Sequence, residues 1–225
     1  MSTFFFRLCG PMQSWGTQSR FLVRDTGPEP SKSGVVGLIC AAMGKPRDDR
    51  EAIAKIAGLR MAVRADRPGT MRMDYHTAED VIRADESGAG TVVSRRYYLA
   101  DAQFLVALEG ERAVLEEIAQ ALSAPRWQVF LGRKSFVPSA PLILPPDPPW
   151  DRGWSEDALE RSVSSFPWLG LLDGIRGPRP EGLRVVIDDP AGSEIRRDYP
   201  LSFAPREFTI RRVSMLPVDG PGAGA

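Results

Sequence analysis

Gln13 and Trp15 stand between two glycines in the stretch Gly10-Pro11-Met12-Gln13-Ser14-Trp15-Gly16, and Lys32 and Ser33 stand at the start of an apolar run. Tyr75 and His76 open a polar span that Arg95-Arg96-Tyr97-Tyr98 closes. Phe130-Leu131-Gly132-Arg133-Lys134-Ser135 is a glycine-centred basic loop, and Arg20 and Arg24 are two exposed-looking arginines between the first groups. Glycine lets a second backbone or a ligand come close. Basic side chains beside free backbone N–H groups make an anion seat, and the rings offer flat stacking faces. Phosphate contacts, stacking planes and backbone donors are together what an unpaired RNA requires.

Each group also has a plainer reading. Trp15 suits a core aromatic, Arg95 and Arg96 a solvated strand end, and Gly132 a simple turn. Tyr97 and Tyr98 are neighbours on a strand, so they point to opposite faces and at least one turns toward the core.

Catalysis is poorly supplied. The single histidine, His76, leaves no His pair for proton exchange and no His-based metal site. With a Lys or Tyr it could still serve a metal-free cleavage in which the RNA 2′-hydroxyl is the nucleophile. Asp173, Asp188 and Asp189 are scattered in turn-like context and do not resemble a two-metal nuclease cluster. Cys9 and Cys40 are too few for a disulfide framework and lack metal-ligand spacing, so both read as reduced core thiols.

The elements that would position these groups follow from composition and pattern. The chain has 225 residues, 43% hydrophobic and 26% charged, enough for one large domain or two small ones of ordinary globular type. Its 29 basic and 29 acidic side chains cancel, so the total does not advertise a polyanion partner, but the distribution is uneven. Residues 125–138 carry Arg126, Arg133 and Lys134 with no acid, while residues 147–160 carry five acids against Arg152. Phe4-Phe5-Phe6 is too short for a signal or a membrane span, and a cytoplasmic protein is expected.

Residues 3–9 alternate as a strand, with Phe4, Phe6 and Leu8 on one face. Ser31 or Ser33 caps an apolar helix that Gly44 and Pro46 stop, and its free N–H groups read as a phosphate seat. A second short helix runs from Asp48 or Asp49 to Gly58, and residues 59–66 form a strand with one buried face. Residues 70–94 lose the apolar pattern and read as a mobile protrusion. Residues 102–108 are a strand, and residues 111–122 an amphipathic helix. One more strand starting near Phe136 would complete an α+β fold of ferredoxin-like (RRM-like) βαββαβ type. The proline-rich span 141–150 reads as a stiff connector. Residues 183–187, 195–203 and 207–215 read as strands of a β-rich C-terminal segment (145–216), either a small subdomain or additions to the first sheet. Residues 217–225 are expected to be a disordered tail.

As an ordered set, the Gly10 to Gly16 stretch, Ser33-Gly34-Val35-Val36-Gly37-Leu38, Asp74-Tyr75-His76-Thr77, Arg96-Tyr97-Tyr98-Leu99-Ala100-Asp101 and Leu131-Gly132-Arg133-Lys134-Ser135 resemble the subtype I-E form of the fifth Cas protein family, of the RAMP superfamily. The resemblance spans about residues 3–139. It implies a ferredoxin-like domain over 1–144 with a thumb at 75–94 and a glycine-rich loop after the second helix. It also implies a non-catalytic subunit of the CRISPR surveillance complex Cascade that caps the 5′ handle of the CRISPR RNA. Such a subunit sits against the CasC backbone and the large subunit CasA, and meets target DNA only through the complex. No metal or cofactor is implied.

On this reading Arg95, Arg96, Arg133 and Lys134 hold phosphates, Trp15, Tyr97 or Tyr98 lie near bases, and Gln13 meets a base edge or sugar. Arg20, Lys32, Ser33, Tyr75, His76 and Gly132 complete the expected surface. In subtype I-E the processing cut belongs to a separate subunit, CasE. In I-C relatives the corresponding protein is itself the processing endoribonuclease, which keeps a catalytic alternative open. An adaptor whose basic loops meet acidic partner surfaces is a third reading.

Overall fold

The first strand, β1 (Ser2–Cys9), is buried along nearly its whole length, and alternation divides its side chains between two cores. Phe4, Phe6 and Leu8 enter one, and Phe5 enters the other. A sheet covered on both faces follows. The computed structural model describes residues 1–18, 22–85, 87–146, 153–172 and 182–218, as a mixed α/β fold with mainly antiparallel sheets.

After β1 come β2 (Met12–Gln13), β3 (Val23–Arg24), α1 (Lys32–Met43), α2 (Arg50–Ala57) and β4 (Arg60–Arg67). They are followed by β5 (Thr70–Ile82), β6 (Ala89–Ala100), β7 (Gln103–Gly110), α3 (Arg112–Ser123) and β8 (Trp154–Ser155). The chain continues with α4 (Leu159–Ser165), α5 (Leu169–Leu172), β9 (Leu183–Asp188), β10 (Glu194–Phe203) and β11 (Arg206–Val218).

Seven strands lie in the order β10-β11-β9-β4-β7-β1-β8. β7 runs antiparallel to both β1 and β4, so that Val106 faces Phe6 on one side and Val63 on the other. One face is covered by α1, α2 and α3 through Val35, Ile39, Ile53, Ile56, Leu115 and Ile118. The other is covered by Leu159, Val163, Phe166 and Leu169. β4 was expected to bury one face; it buries both, because this second layer closes over Ala62 and Arg64.

Helix ends follow their sequence signals. Ser31, not Ser33, caps α1: its hydroxyl accepts from the Gly34 N–H at 3.2 Å, and Gly44 closes the helix with φ 68°. Asp49 caps α2 by accepting from the Ala52 N–H at 2.9 Å. Ser31→Ala is expected to lower stability by about 1 kcal/mol, read as a shifted urea midpoint at unchanged slope.

Several expectations are corrected. No strand starts near Phe136; residues 124–146 contain only an isolated bridge between Phe6 and Ile143, and the far side of β1 is taken by the two-residue β8. The loop around Gly132 is instead tied to the opening turn, through the Ser14 N–H to Leu131 carbonyl bond. The expected protrusion is an antiparallel hairpin, β5 with β6, paired from Thr70 with Ala100 to Ile82 with Ala89. Its ladder supplies the order that an apolar pattern would have announced. β9 pairs with β4, so the C-terminal strands extend the first sheet. β11 runs to Val218, past the expected start of the tail; residues 219–225 lie outside the described residues, as do Arg20, Asp173 and Pro148 with Pro149.

Candidate nucleic-acid interface

β6 is where the three chemistry-bearing stretches meet. Its foot pairs with β2, placing Gln13 opposite Leu99, and runs parallel to β3, placing Arg24 beside Arg96. The Ser14 N–H donates to the Leu131 carbonyl at 3.0 Å, and an Arg133 guanidinium N–H donates to the Tyr97 carbonyl at 2.8 Å. The opening turn, the strand foot and the glycine-centred loop therefore form one wall.

That wall borders a cleft of about 430 Å³ lined by Arg24, Arg96, Arg133, Arg197 and Arg206, with Asp25 the one acid among the described residues. Arg96 is half-buried and donates to the Ser94 hydroxyl at 3.0 Å. Burial lowers the Arg133 pKa from the ordinary guanidinium value, and neighbouring Arg96 adds to the effect. Like charges held together this way favour an anion between them. Beside the cleft runs a trough of about 820 Å³ with Trp127, Phe130, Phe203 and Phe208 in its lining, together with Lys45, Arg47, Lys134 and Arg206 and, among the described residues, no acid. Ser14, Ser33, Gly132, Arg206 and Phe208 line both hollows, so the two are continuous.

The structure brings together Ser33, Arg96, Tyr97, Gly132 and Arg133, with exposed Lys134 adjacent. Arg95 is exposed at the strand foot, and Tyr98 faces the core against Phe136, with ring centres 5.9 Å apart. Tyr75 is 64% exposed on β5. His76, near it, has Asp74 at 4.0 Å and does not line the cleft.

Three expected contacts are corrected because their side chains are used inside. Gln13 is fully buried; its amide donates to the carbonyls of Leu8 and Ala102 and accepts from the Trp15 indole at 3.1 Å. Trp15 is 2% exposed and packs under Gly34. Lys32 is buried, donating to the Asp188 carboxylate at 2.6 Å and the Leu59 carbonyl at 2.9 Å, and burial lowers its pKa against the pull of Asp188. The phosphate seat expected at the start of α1 is also filled, because the Asp198 carboxylate accepts the Lys32 N–H at 2.8 Å. Asp188 is thus not a turn residue but the buried end of β9. Cys40 is a buried thiol that desolvation pushes up to about 11, as an inert core cysteine should be.

Sequence reasoning missed Arg197, Arg206 and Phe208, which come from the β10–β11 hairpin, and the aromatic lining of the trough at Trp127. Strand alternation at Arg206 and Phe208 was the available signal. No helix among the described residues is long and apolar enough to cross a membrane.

Comparison with known proteins agrees with this arrangement. A family model described as CRISPR-associated protein (Cas_Cas5) matches residues 3–214. The chain is 36% identical over 160 residues to the CRISPR system Cascade subunit CasD of Escherichia coli (strain K12), covering 64% of this chain and 70% of that protein. A solved structure described as a crystal structure of a Cas protein superposes with TM-score 0.76 at 40% identity, over 97% of this chain and 95% of the other. A chain of a CRISPR RNA-guided surveillance complex superposes with TM-score 0.75 at 33% identity, over 98% and 91%. The chain belongs to the Cas5 family of CRISPR-associated proteins and is of the CasD type.

Proposed function

We propose that this chain is a non-catalytic RNA-binding subunit of a cytoplasmic type I-E Cascade complex, which caps the 5′ handle of the CRISPR RNA and joins CasC backbone subunits to CasA. The observation that carries the reading is the cleft, with five arginines and one acid among the described residues, set against a glycine loop and continuous with an aromatic trough. That composition suits a bent single strand whose phosphates and bases are held separately. The path β1–α1–β4–β7–α3–β8 supports the ferredoxin-like reading, and the β5–β6 hairpin between β4 and β7 supports the reading of a thumb.

Arg133→Ala with Lys134→Ala is expected to weaken binding of the CRISPR RNA. The slope of log affinity against log salt should fall by about 0.7 for each phosphate no longer neutralised. Unchanged assembly and an unchanged slope would remove the loop from the RNA site. Repeat RNA incubated with the full chain in EDTA is expected to stay intact; cleavage that His76→Ala abolishes would replace the binding role with an endoribonuclease.

A further inference from the structure

The β10–β11 hairpin has no role in the reading from sequence, yet it lines the same cleft as the glycine loop. Arg197 on β10 and Arg206 on β11 are exposed and line the cleft with Arg24, Arg96 and Arg133. Neither guanidinium has an internal partner among the described residues, whereas Arg96 and Arg133 each donate internally. Phe208, half-buried, lies at the junction of cleft and trough. Arg206 and Phe208 are two residues apart on one strand, so both project to the same side, while Glu207 between them turns to Arg50 at 2.9 Å.

The hairpin is also fixed in place from beneath. Arg211 bonds to Asp198 and Asp188, and Asp188 holds the Lys32 ammonium at 2.6 Å. The Phe203 N–H donates to the Arg47 carbonyl at 3.0 Å, and the Phe203 ring lies over Gly37 of α1. A buried, paired network that ties a surface hairpin to a helix start presents the outward side chains in one geometry. Uncommitted cations on a rigid strand, with an aromatic ring alternating with one of them, suit an unpaired nucleotide strand. An acidic peptide would use the arginines but would leave the ring and trough without a base-like plane to stack.

We infer that the C-terminal hairpin is a second RNA-contacting arm: Arg197 and Arg206 hold backbone phosphates in the cleft they line with Arg133, and Phe208 stacks one unpaired base where the cleft opens into the trough. This inference rests on the RNA-binding reading above.

The test uses the full chain and a synthetic oligoribonucleotide matching the 5′ segment of the RNA that co-purifies with it. Arg197→Ala with Arg206→Ala is expected to reduce the salt slope by about 1.4, the effect of two phosphates on a single strand. Phe208→Ala is expected to lower affinity about five- to a hundred-and-fiftyfold with the slope unchanged. Phe208→Tyr is expected to retain binding, which separates stacking from a structural effect on the hairpin. If Arg133→Ala changes the slope while all hairpin variants bind like the parent, the arm is ruled out and the RNA-binding reading stands. If neither Arg133→Ala nor the hairpin variants matter, both fall. Hairpin variants that keep full RNA affinity but lose a protein subunit from the assembled complex would make the arm a protein interface and overturn the inference.

Discussion

Alanine at position 132 is expected to destabilise the chain by about 2–3 kcal/mol and to lower RNA affinity more than loss of either neighbouring basic side chain. Gly132 has φ 96°, in the region that L side chains avoid, and a Cβ there would stand 1.8 Å from the Ser14 carbonyl oxygen. That oxygen belongs to backbone already bonded to the loop, since the Ser14 N–H donates to Leu131. The loop must therefore back away from the opening turn, carrying Arg133 off the Tyr97 carbonyl and opening the cleft wall. A control separates the two contributions. Gly88, in the β5–β6 turn, has φ 122° and nothing within 4 Å of where a Cβ would stand, so Gly88→Ala carries the backbone cost alone. Urea midpoints and RNA titrations of both variants check this. A Gly132→Ala chain that matches Gly88→Ala in stability and binds like the parent would remove the close approach as the reason for this glycine.

The convergence of the site was legible because its parts are local. A glycine beside basic residues, and arginines next to tyrosines at a strand end, announce themselves in a few letters. Which side chains face outward was not. Trp15 and Gln13 look like a ligand-reading pair, but each satisfies the other: the indole donates to the Gln13 amide, and the amide satisfies two carbonyls at the junction of β1 and β7. Lys32 looks like a phosphate ligand at a helix start until Asp188 and Asp198, over 150 residues away in sequence, claim its ammonium and its N–H. Buried pairing of this kind has no local pattern. For the same reason Arg197 and Arg206 were overlooked, since only the docking of β9 on β4 brings their hairpin to the cleft.

The fold was legible wherever a segment carries its own apolar or β-branched signal. α2 and α3 show their inner faces, and β1, β4, β7 and β9 stand close to where alternation and β-branched content place them. β5 and the outer part of β6 escaped because their residues are mostly exposed on both sides, so their pairing rests on ladder hydrogen bonds that leave no hydrophobic period. α4 escaped because its seven residues are short and serine-rich, with only Leu159 and Val163 marking the buried face. Its importance comes from what it covers.

Asp66→Ala is expected to cost about 3–5 kcal/mol without weakening RNA binding under folding conditions. Arg64 and Asp66 are fully buried side chains on β4, paired at 2.6 and 2.9 Å. The guanidinium also donates to the carbonyls of Val163, Phe166 and Pro167 at 2.7–2.8 Å, satisfying the open C-terminal end of α4. Asp66 accepts the Leu169 N–H at 2.7 Å, and its carbonyl accepts the Trp168 indole at 3.1 Å. Removing the carboxylate leaves a guanidinium in the core with no counter-charge, which is the costly way to break such a pair. Replacing both residues, Arg64→Met with Asp66→Leu, relieves the stranded charge but leaves three carbonyls and one N–H without partners. The double variant is therefore expected to recover only part of the loss. The α4 layer lies across the sheet from α1, whose Ser33 lines the cleft, so a stability defect there should leave the salt slope of RNA binding at the parent value. Denaturant titrations of the two variants and the parent measure the first part, and binding well below the unfolding midpoint measures the second. An Asp66→Ala loss under about 1 kcal/mol would mean that the pair does not anchor the second layer.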